Sequence, residues 1–172
     1  AFARSVRGVR TPTHGLLNVG TEEMTGHEAL QDARERLASL DLPGRYHGFV
    51  EGDDIAKGTV DVVVTDGYTG NVLLKTGEGT SKALFRVLME ALQADEYQAA
   101  LAELLPAFMK LRQQIDPETM GGAHLVGTKG VVVIGHGASS HRAAANAITM
   151  AAEGAGHGLV DLVADGIGHT GR

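Results

Sequence analysis

The sequence contains no cysteine, so neither a disulfide framework nor a thiolate metal site is available to it, which fits a reducing cytoplasm. Basic charge is scarce as well. Fifteen Lys and Arg stand against 21 Asp and Glu, a formal charge of −6 at pH 7, and no Lys/Arg stripe alternates with aromatics in the manner that follows a phosphate backbone. Nucleic acid is not an expected partner. Long hydrophobic runs are missing: the longest fall well short of the ~20 apolar residues that span a bilayer, and no basic-then-apolar signal segment opens the chain. The first residues are Ala1-Phe2-Ala3-Arg4, with no initiating methionine, and strand-like sequence follows within a few positions. The expectation is a portion of something longer.

Several chemical signatures are absent too. Gly135-His136-Gly137-Ala138-Ser139-Ser140 lacks the third glycine of the dinucleotide fingerprint, and GAHLVGTK at 122–129 reverses the Lys and Ser/Thr order of a P-loop. No G-x-S-x-G elbow occurs, which makes Ser139 and Ser140 hydrogen-bonding or capping groups rather than acyl carriers. The eight histidines form neither H-x-x-x-H nor H-E-x-x-H, so no metal site is expected. No cofactor is called for either.

What is present is globular. A chain that is 43% hydrophobic and 21% charged, with 24 glycines spread along it rather than gathered in a tract, suits one α/β domain over 1–172. Such a domain buries roughly 70% of its unfolded surface. The run GLLNV at 15–19 reads as a strand, and leucines 30, 37 and 40 give a helix over 28–40. YHGFV at 46–50 reads as a second strand, and the acidic turn Glu51–Asp54 leads to Val60–Val64 (VDVVV), an apolar run but for Asp61. Its lack of alternation predicts a parallel strand buried on both faces. A helix over 71–92, a fourth strand at 130–134 and an alanine-rich helix over 139–152 follow, and LVDLV at 159–163 suits a short helix. Strand and helix alternate throughout, which predicts a doubly wound, mainly parallel sheet.

Between these units, Tyr97, Leu101, Leu104, Leu105, Phe108, Leu111 and Ile115 recur at helical spacing around Pro106. Proline is tolerated in a helix's first turn and not in its interior, so the spacing predicts a protruding amphipathic hairpin within 93–116, its helices near 95–104 and 106–115. A core or dimer face is one reading of the stripe. The other is a lipid-touching surface formed by Leu101, Leu104, Leu105, Phe108 and Met109, with modest electrostatic help from Lys110 and Arg112.

Ligands of open α/β sheets collect beyond the carboxyl ends of the strands, where helix N-termini offer N–H groups to anions. Three corners qualify: Asn18-Val19-Gly20-Thr21-Glu22, then Thr65-Asp66-Gly67-Tyr68-Thr69-Gly70-Asn71, then Gly135 to Ser140. In the second, Gly67 and Gly70 permit close approach, Thr69 and Asn71 offer side-chain donors, and a helix starting near Val72 directs positive charge at the same place. The same residue types serve ordinary turns and N-caps, and Asp66 reads as a capping residue before it reads as a base. In the third corner, His136 between two glycines is suited to donate to an oxyanion or phosphate, or simply to pack, with Gly137, Ser139 and Ser140 beside it.

Taken in order, GLLNVGTEE (15–23), VDVVVTDGYTGNVLLKT (60–76), GGAHLVGTKGVVVIGHGASS (121–140) and AAANAI (143–148) resemble the phosphate acyltransferases of bacterial phospholipid synthesis, the PlsX family. The resemblance covers the family's carboxyl-terminal half. It implies a fold like that of isocitrate dehydrogenases and phosphotransacetylases, and transfer of a long-chain acyl group from acyl carrier protein to inorganic phosphate, giving acyl phosphate. It also implies a homodimer in the cytoplasm, peripheral contact of a helical tip with the inner face of the cell membrane, and a downstream membrane acyltransferase as a possible partner. On this reading His136 and Asn71 are catalytic, while Asp66, Gly67, Thr69, Gly70, Gly137, Ser139 and Ser140 bind phosphate or the acyl group. Two alternatives stand beside it: a phosphotransacetylase or butyryltransferase using coenzyme A thioesters, and a catalytically silent binding fragment.

Overall fold

A computed structural model describes residues 2–22, 25–42, 44–116, 119, 121–135, 137 and 139–168. The chain is α/β and divides into two compact units, one of Ala1–Gly67, Leu125–Val132 and Ala151–Arg172, the other of Tyr68–His124 and Val133–Met150.

The first unit is organised by three parallel strands, β1 (Thr13–Leu17), β2 (Arg45–Val50) and β3 (Val62–Val64), in the order β2-β1-β3. The central strand starts two residues before the expected one because its amino end is fastened. The Thr13 N–H and hydroxyl both donate to Asp61 Oδ2 at 2.7 Å, and the Asp61 N–H returns a bond to Thr13 Oγ1 at 3.0 Å. This clasp aligns β1 with β3, and β1 carries Leu16 and Leu17 into the core with Phe49 and Val50 of β2. Val50 is fully buried at 0% exposure. Pairing slips by one residue between His14 and Gly15, so that Gly15 meets Gly48. A methyl group on Gly15 would lie 2.6 Å from Val50 Cγ1, so the glycine is what lets the valine fill that space.

Strand β3 corrects the expectation of burial on both faces: Val62 and Val63 are half-buried and Val64 is exposed. The order explains this, since β3 lies at the edge of the described sheet with β1 on one side only. Helix α1 (Phe2–Ser5) precedes the sheet, α2 (Glu28–Ser39) joins β1 to β2, and α3 (Gly52–Lys57) joins β2 to β3. A reciprocal capping box starts α3: the Glu51 N–H donates to Asp54 Oδ2 at 2.8 Å, and Glu51 receives the Asp54 N–H. Helix α2 packs on β2, and α1 packs on the closing helix α7 (Leu159–Gly168), burying Ala3 and Leu159.

In the second unit, α4 spans Gly67–Ala91 (its first residue, Gly67, belonging to the first unit) and α5 spans Gln98–Ile115. The expected pair of helices parted at Pro106 is not what forms, because α5 runs through the proline. Helix α5 starts after the turn Asp95–Tyr97, which places two acidic residues ahead of it, and Gln98 Nε2 donates to Asp95 Oδ1 at 3.1 Å. Helices α4 and α5 meet where Arg112 stacks over Phe85, 6.0 Å from the ring centre. The expected fourth parallel strand is also different. Only Val133–Ile134 (β5) is extended, and it pairs antiparallel with Ala123–His124 (β4). Helix α6, His141–Gly156, follows, its residues from Ala151 on belonging to the first unit.

Candidate functional site

The connection from β1 leads to β2 on one side, and the next connection carries the chain back across β1 to β3 on the other. A reversal of this kind opens a crevice beyond the carboxyl ends of the two strands flanking it, here β1 and β3. Leu16 pairs with Val64. The first expected corner thus follows β1, and the start of the second follows β3, at the same end of the sheet.

The β1 corner is built around Asn18, 93% of whose surface is buried, being only 7% exposed. Its N–H extends the ladder to the Val50 carbonyl at 2.9 Å. Its side chain then turns the chain: Oδ1 accepts from the Val19 N–H at 2.9 Å, while Nδ2 donates to the Thr25 carbonyl at 2.9 Å. That carbonyl accepts a second bond from Gln31 Nε2 of α2 at 2.6 Å. Val19, expected inside the strand, is instead thrown outward and is 84% exposed. Next to it, the Thr25 hydroxyl donates to Glu22 Oε2 at 3.0 Å. The backbone N–H of Glu22 itself and then the Thr25 hydroxyl hold the Glu22 carboxyl below its ordinary range.

The β3 corner consists of Thr65, Asp66 and Gly67. Asp66 is the residue immediately before α4, the position from which a carboxylate caps a helix. The helix begins at Gly67, earlier than expected, so Thr69, Gly70 and Asn71 lie within its first turns. This alters what each can offer. Amides of the first turn, Gly67 to Thr69, have no acceptor within the helical bonding pattern, whereas those of Gly70 and Asn71 fall within it, so that Asn71 has only its side chain to offer a ligand. None of Asn18–Glu22 or Thr65–Gly67 is Lys or Arg. An anion there relies on backbone N–H groups and side-chain amides or hydroxyls.

The third corner belongs to the other compact unit. His136 lies outside the described residues, as does Ala138. Ser140 caps α6, its hydroxyl oxygen accepting the Ala143 N–H at 3.3 Å. A Cβ added to Gly135 would sit 3.6 Å from Ser139 Oγ and 3.7 Å from the Gly121 carbonyl, so Gly135 lies against the residues leading into β4. Gly121 is the residue that sequence reasoning passed over. With φ +77°, its own added Cβ would be 2.5 Å from the Ala147 amide nitrogen, which makes it the contact point between that strand and α6. The pair Gly121-Gly122 was the available signal.

The stripe residues Leu104, Leu105 and Met109 on α5 are exposed, and Leu101 and Phe108 are half-buried. Among the described residues no helix is long and apolar enough to cross a membrane, and no three His, Cys, Asp or Glu side chains gather where a metal ion could bind.

Comparison with known proteins matches residues 1–161 to the family described as "Fatty acid synthesis protein". A protein of Gluconobacter oxydans (strain 621H) named "Phosphate acyltransferase" is 46% identical over 165 residues, covering 95% of this chain and 44% of its own length. A Parvibaculum lavamentivorans protein of the same name is 45% identical, with 95% of this chain and 45% of its own length covered. A third, from Thermotoga neapolitana, is 43% identical over 99% of this chain and 52% of its own length. The chain thus spans about half the length of the curated relatives it matches.

Proposed function

We propose, for a chain that belongs to the fatty acid synthesis protein family, that it forms the anion-holding part of an acyltransferase that moves a long-chain acyl group from acyl carrier protein to inorganic phosphate. The observation that carries the reading is the reversal of strand order between β1 and β3, whose following corners lie in a stretch that aligns at 46% identity, over 95% of this chain, with a phosphate acyltransferase. A phosphate oxygen attacks the thioester carbonyl, the C–O bond forms as the C–S bond breaks, and the phosphate's proton ends on the departing thiol. The products are acyl phosphate and free carrier protein. Holding phosphate beside the thioester supplies the orientation such a step needs, and no acyl-enzyme is required.

Within this reading Asp66, Gly67, Thr69 and Gly70 hold phosphate or the thioester oxygen and Asn71 contributes its side-chain amide. Gly137, Ser139 and Ser140 assist from the start of α6, and His136 stabilises the developing oxyanion or protonates the leaving sulfur. The exposed apolar residues of α4 and α5 are assigned to contact with a second copy and with the inner face of the cell membrane, where a downstream membrane acyltransferase would take the product. Support comes from α4, a 25-residue helix with no buried residue, and from exposed Leu104, Leu105 and Met109 with Leu101 and Phe108 beside them.

The test joins the chain to the portion of the Gluconobacter oxydans relative that it does not span and supplies phosphate with long-chain acyl carrier protein or acyl coenzyme A. Acyl phosphate formed from the carrier-protein thioester supports the reading. Turnover of short-chain coenzyme A thioesters alone would replace it with the phosphotransacetylase alternative, and unchanged turnover after both Asn71→Ala and His136→Ala would remove those residues from the site. Flotation with anionic liposomes tests the membrane assignment: binding that survives Leu105→Glu and Phe108→Glu counts against it.

A further inference from the structure

The buried amide of Asn18 is costly to place where it is, and its bonding indicates what it is for. A primary amide 93% buried loses solvation that must be matched by hydrogen bonds. Both ends of this one are matched, not within the sheet but across the turn that follows it: Val19 N–H to Oδ1, and Nδ2 to the Thr25 carbonyl, each at 2.9 Å. An apolar side chain would have closed the sheet end without tying Val19 to Thr25. Gly26 completes the device. It has φ +91°, and a Cβ on it would lie 2.4 Å from Asn18 Oδ1, so a side chain at 26 and the amide at 18 cannot share the space. Gln31 secures the same Thr25 carbonyl from α2.

We infer that Asn18 is a positioning residue: it fixes the Val19-Gly20 backbone as a preformed rim of the β1/β3 crevice, with Gly26 kept free of a side chain to admit it. The inference rests on the phosphate-binding reading of that crevice. Asn18 acts through the backbone it shapes, since its own polar atoms are engaged with the Val19 N–H and the Thr25 carbonyl. Holding the rim rigid before the ligand arrives removes an ordering cost from binding.

The experiment is a titration of the isotopically labelled chain with inorganic phosphate, followed by amide NMR in the unmodified protein, Asn18→Asp and Gly26→Ala. Asn18→Asp keeps the size and the acceptor for Val19 while replacing the donor to Thr25 with an oxygen. In the unmodified protein phosphate is expected to shift the Val19 and Gly20 amides and the Asn18 side-chain NH2 signals. Each variant is expected to weaken phosphate binding about ten-fold, the loss of roughly one well-made hydrogen bond, while amides of β1 and β2 keep their exchange protection. In the joined protein, the phosphate KM rises by a similar factor with kcat little changed.

Equal affinity in all three proteins overturns the inference, as does a phosphate response that bypasses Val19, Gly20 and the Asn18 amide in the unmodified protein, a measurement that stands even if a variant fails to fold. The two readings fail separately. Phosphate binding that depends on Asn18 without acyl phosphate formation refutes the acyltransferase proposal and leaves the inference; acyl phosphate formation with an unchanged phosphate KM in the variants does the reverse.

Discussion

Replacing Gly15 with alanine and Val50 with alanine, singly and together, is expected to give strongly non-additive losses of stability. Val50→Ala deletes two fully buried methyl groups, about 1.6 kcal/mol at roughly 0.8 kcal/mol per group, and the cavity adds about 1 kcal/mol more. Gly15→Ala inserts a methyl 2.6 Å from Val50 Cγ1 and 3.0 Å from Cγ2. Overpacking of this kind costs about 1–3 kcal/mol, offset by roughly 0.5 kcal/mol from the stiffer unfolded chain. Independent effects would sum to about 4 kcal/mol. Because the new methyl enters the space the valine vacates, the double variant is expected to lose only about 2.5 kcal/mol, a coupling of about 1.5 kcal/mol. Urea unfolding, monitored by circular dichroism with the slope required to stay constant, measures all three losses. Additivity within about 0.5 kcal/mol would refute the account of how β1 and β2 pack.

Acid should loosen the Thr13–Asp61 clasp. The Thr13 N–H first, then the Thr13 hydroxyl, hold the Asp61 carboxyl below its ordinary 3.8, so the native state binds fewer protons than the unfolded one between that value and its folded pKa. Its contribution is complete above the ordinary value and disappears as pH falls through the folded one. Asp61→Asn should therefore flatten the decline of the urea midpoint from about pH 5 downward, and an unchanged acid profile would remove the clasp as its source. Ser140→Ala should cost about 1 kcal/mol and Ser140→Gly a few tenths, the pattern of an N-cap, read from thermal unfolding; equal losses would indicate another role. Gly121→Ala puts a Cβ 2.5 Å from a backbone nitrogen at a positive φ and should destabilise by about 2 kcal/mol or more; a neutral result in the same assay would contradict the close approach to α6.

The parts of the fold legible from sequence were those set by local pattern. Leucine spacing located α2 within one residue, and YHGFV gave β2 nearly to its ends. Non-local contacts accounted for the differences. Nothing local to Thr13 announces its bonds to Asp61, 48 residues away, yet they set where β1 begins. The run Val60–Val64 reads as a strand covered on both faces, while among the described residues β3 has a neighbouring strand on one side only. At Pro106 the local rule predicted a boundary that does not form, because α5 runs from Gln98 through the proline to Ile115. At the candidate site, the glycine-bearing corners were visible as composition, but that the β1 and β3 corners share one end of the sheet follows from strand order. The importance of Gly26 depends on a side chain eight positions before it.

The most direct test of the central claim uses phosphate labelled with oxygen-18 at all four positions. The protein joined to its relative's remaining portion is incubated with this phosphate and long-chain acyl carrier protein, and the product is weighed by mass spectrometry. An acyl phosphate carrying four heavy oxygens, formed at a rate that saturates with phosphate, is the predicted result. Free fatty acid with no acyl phosphate at any phosphate concentration would contradict it.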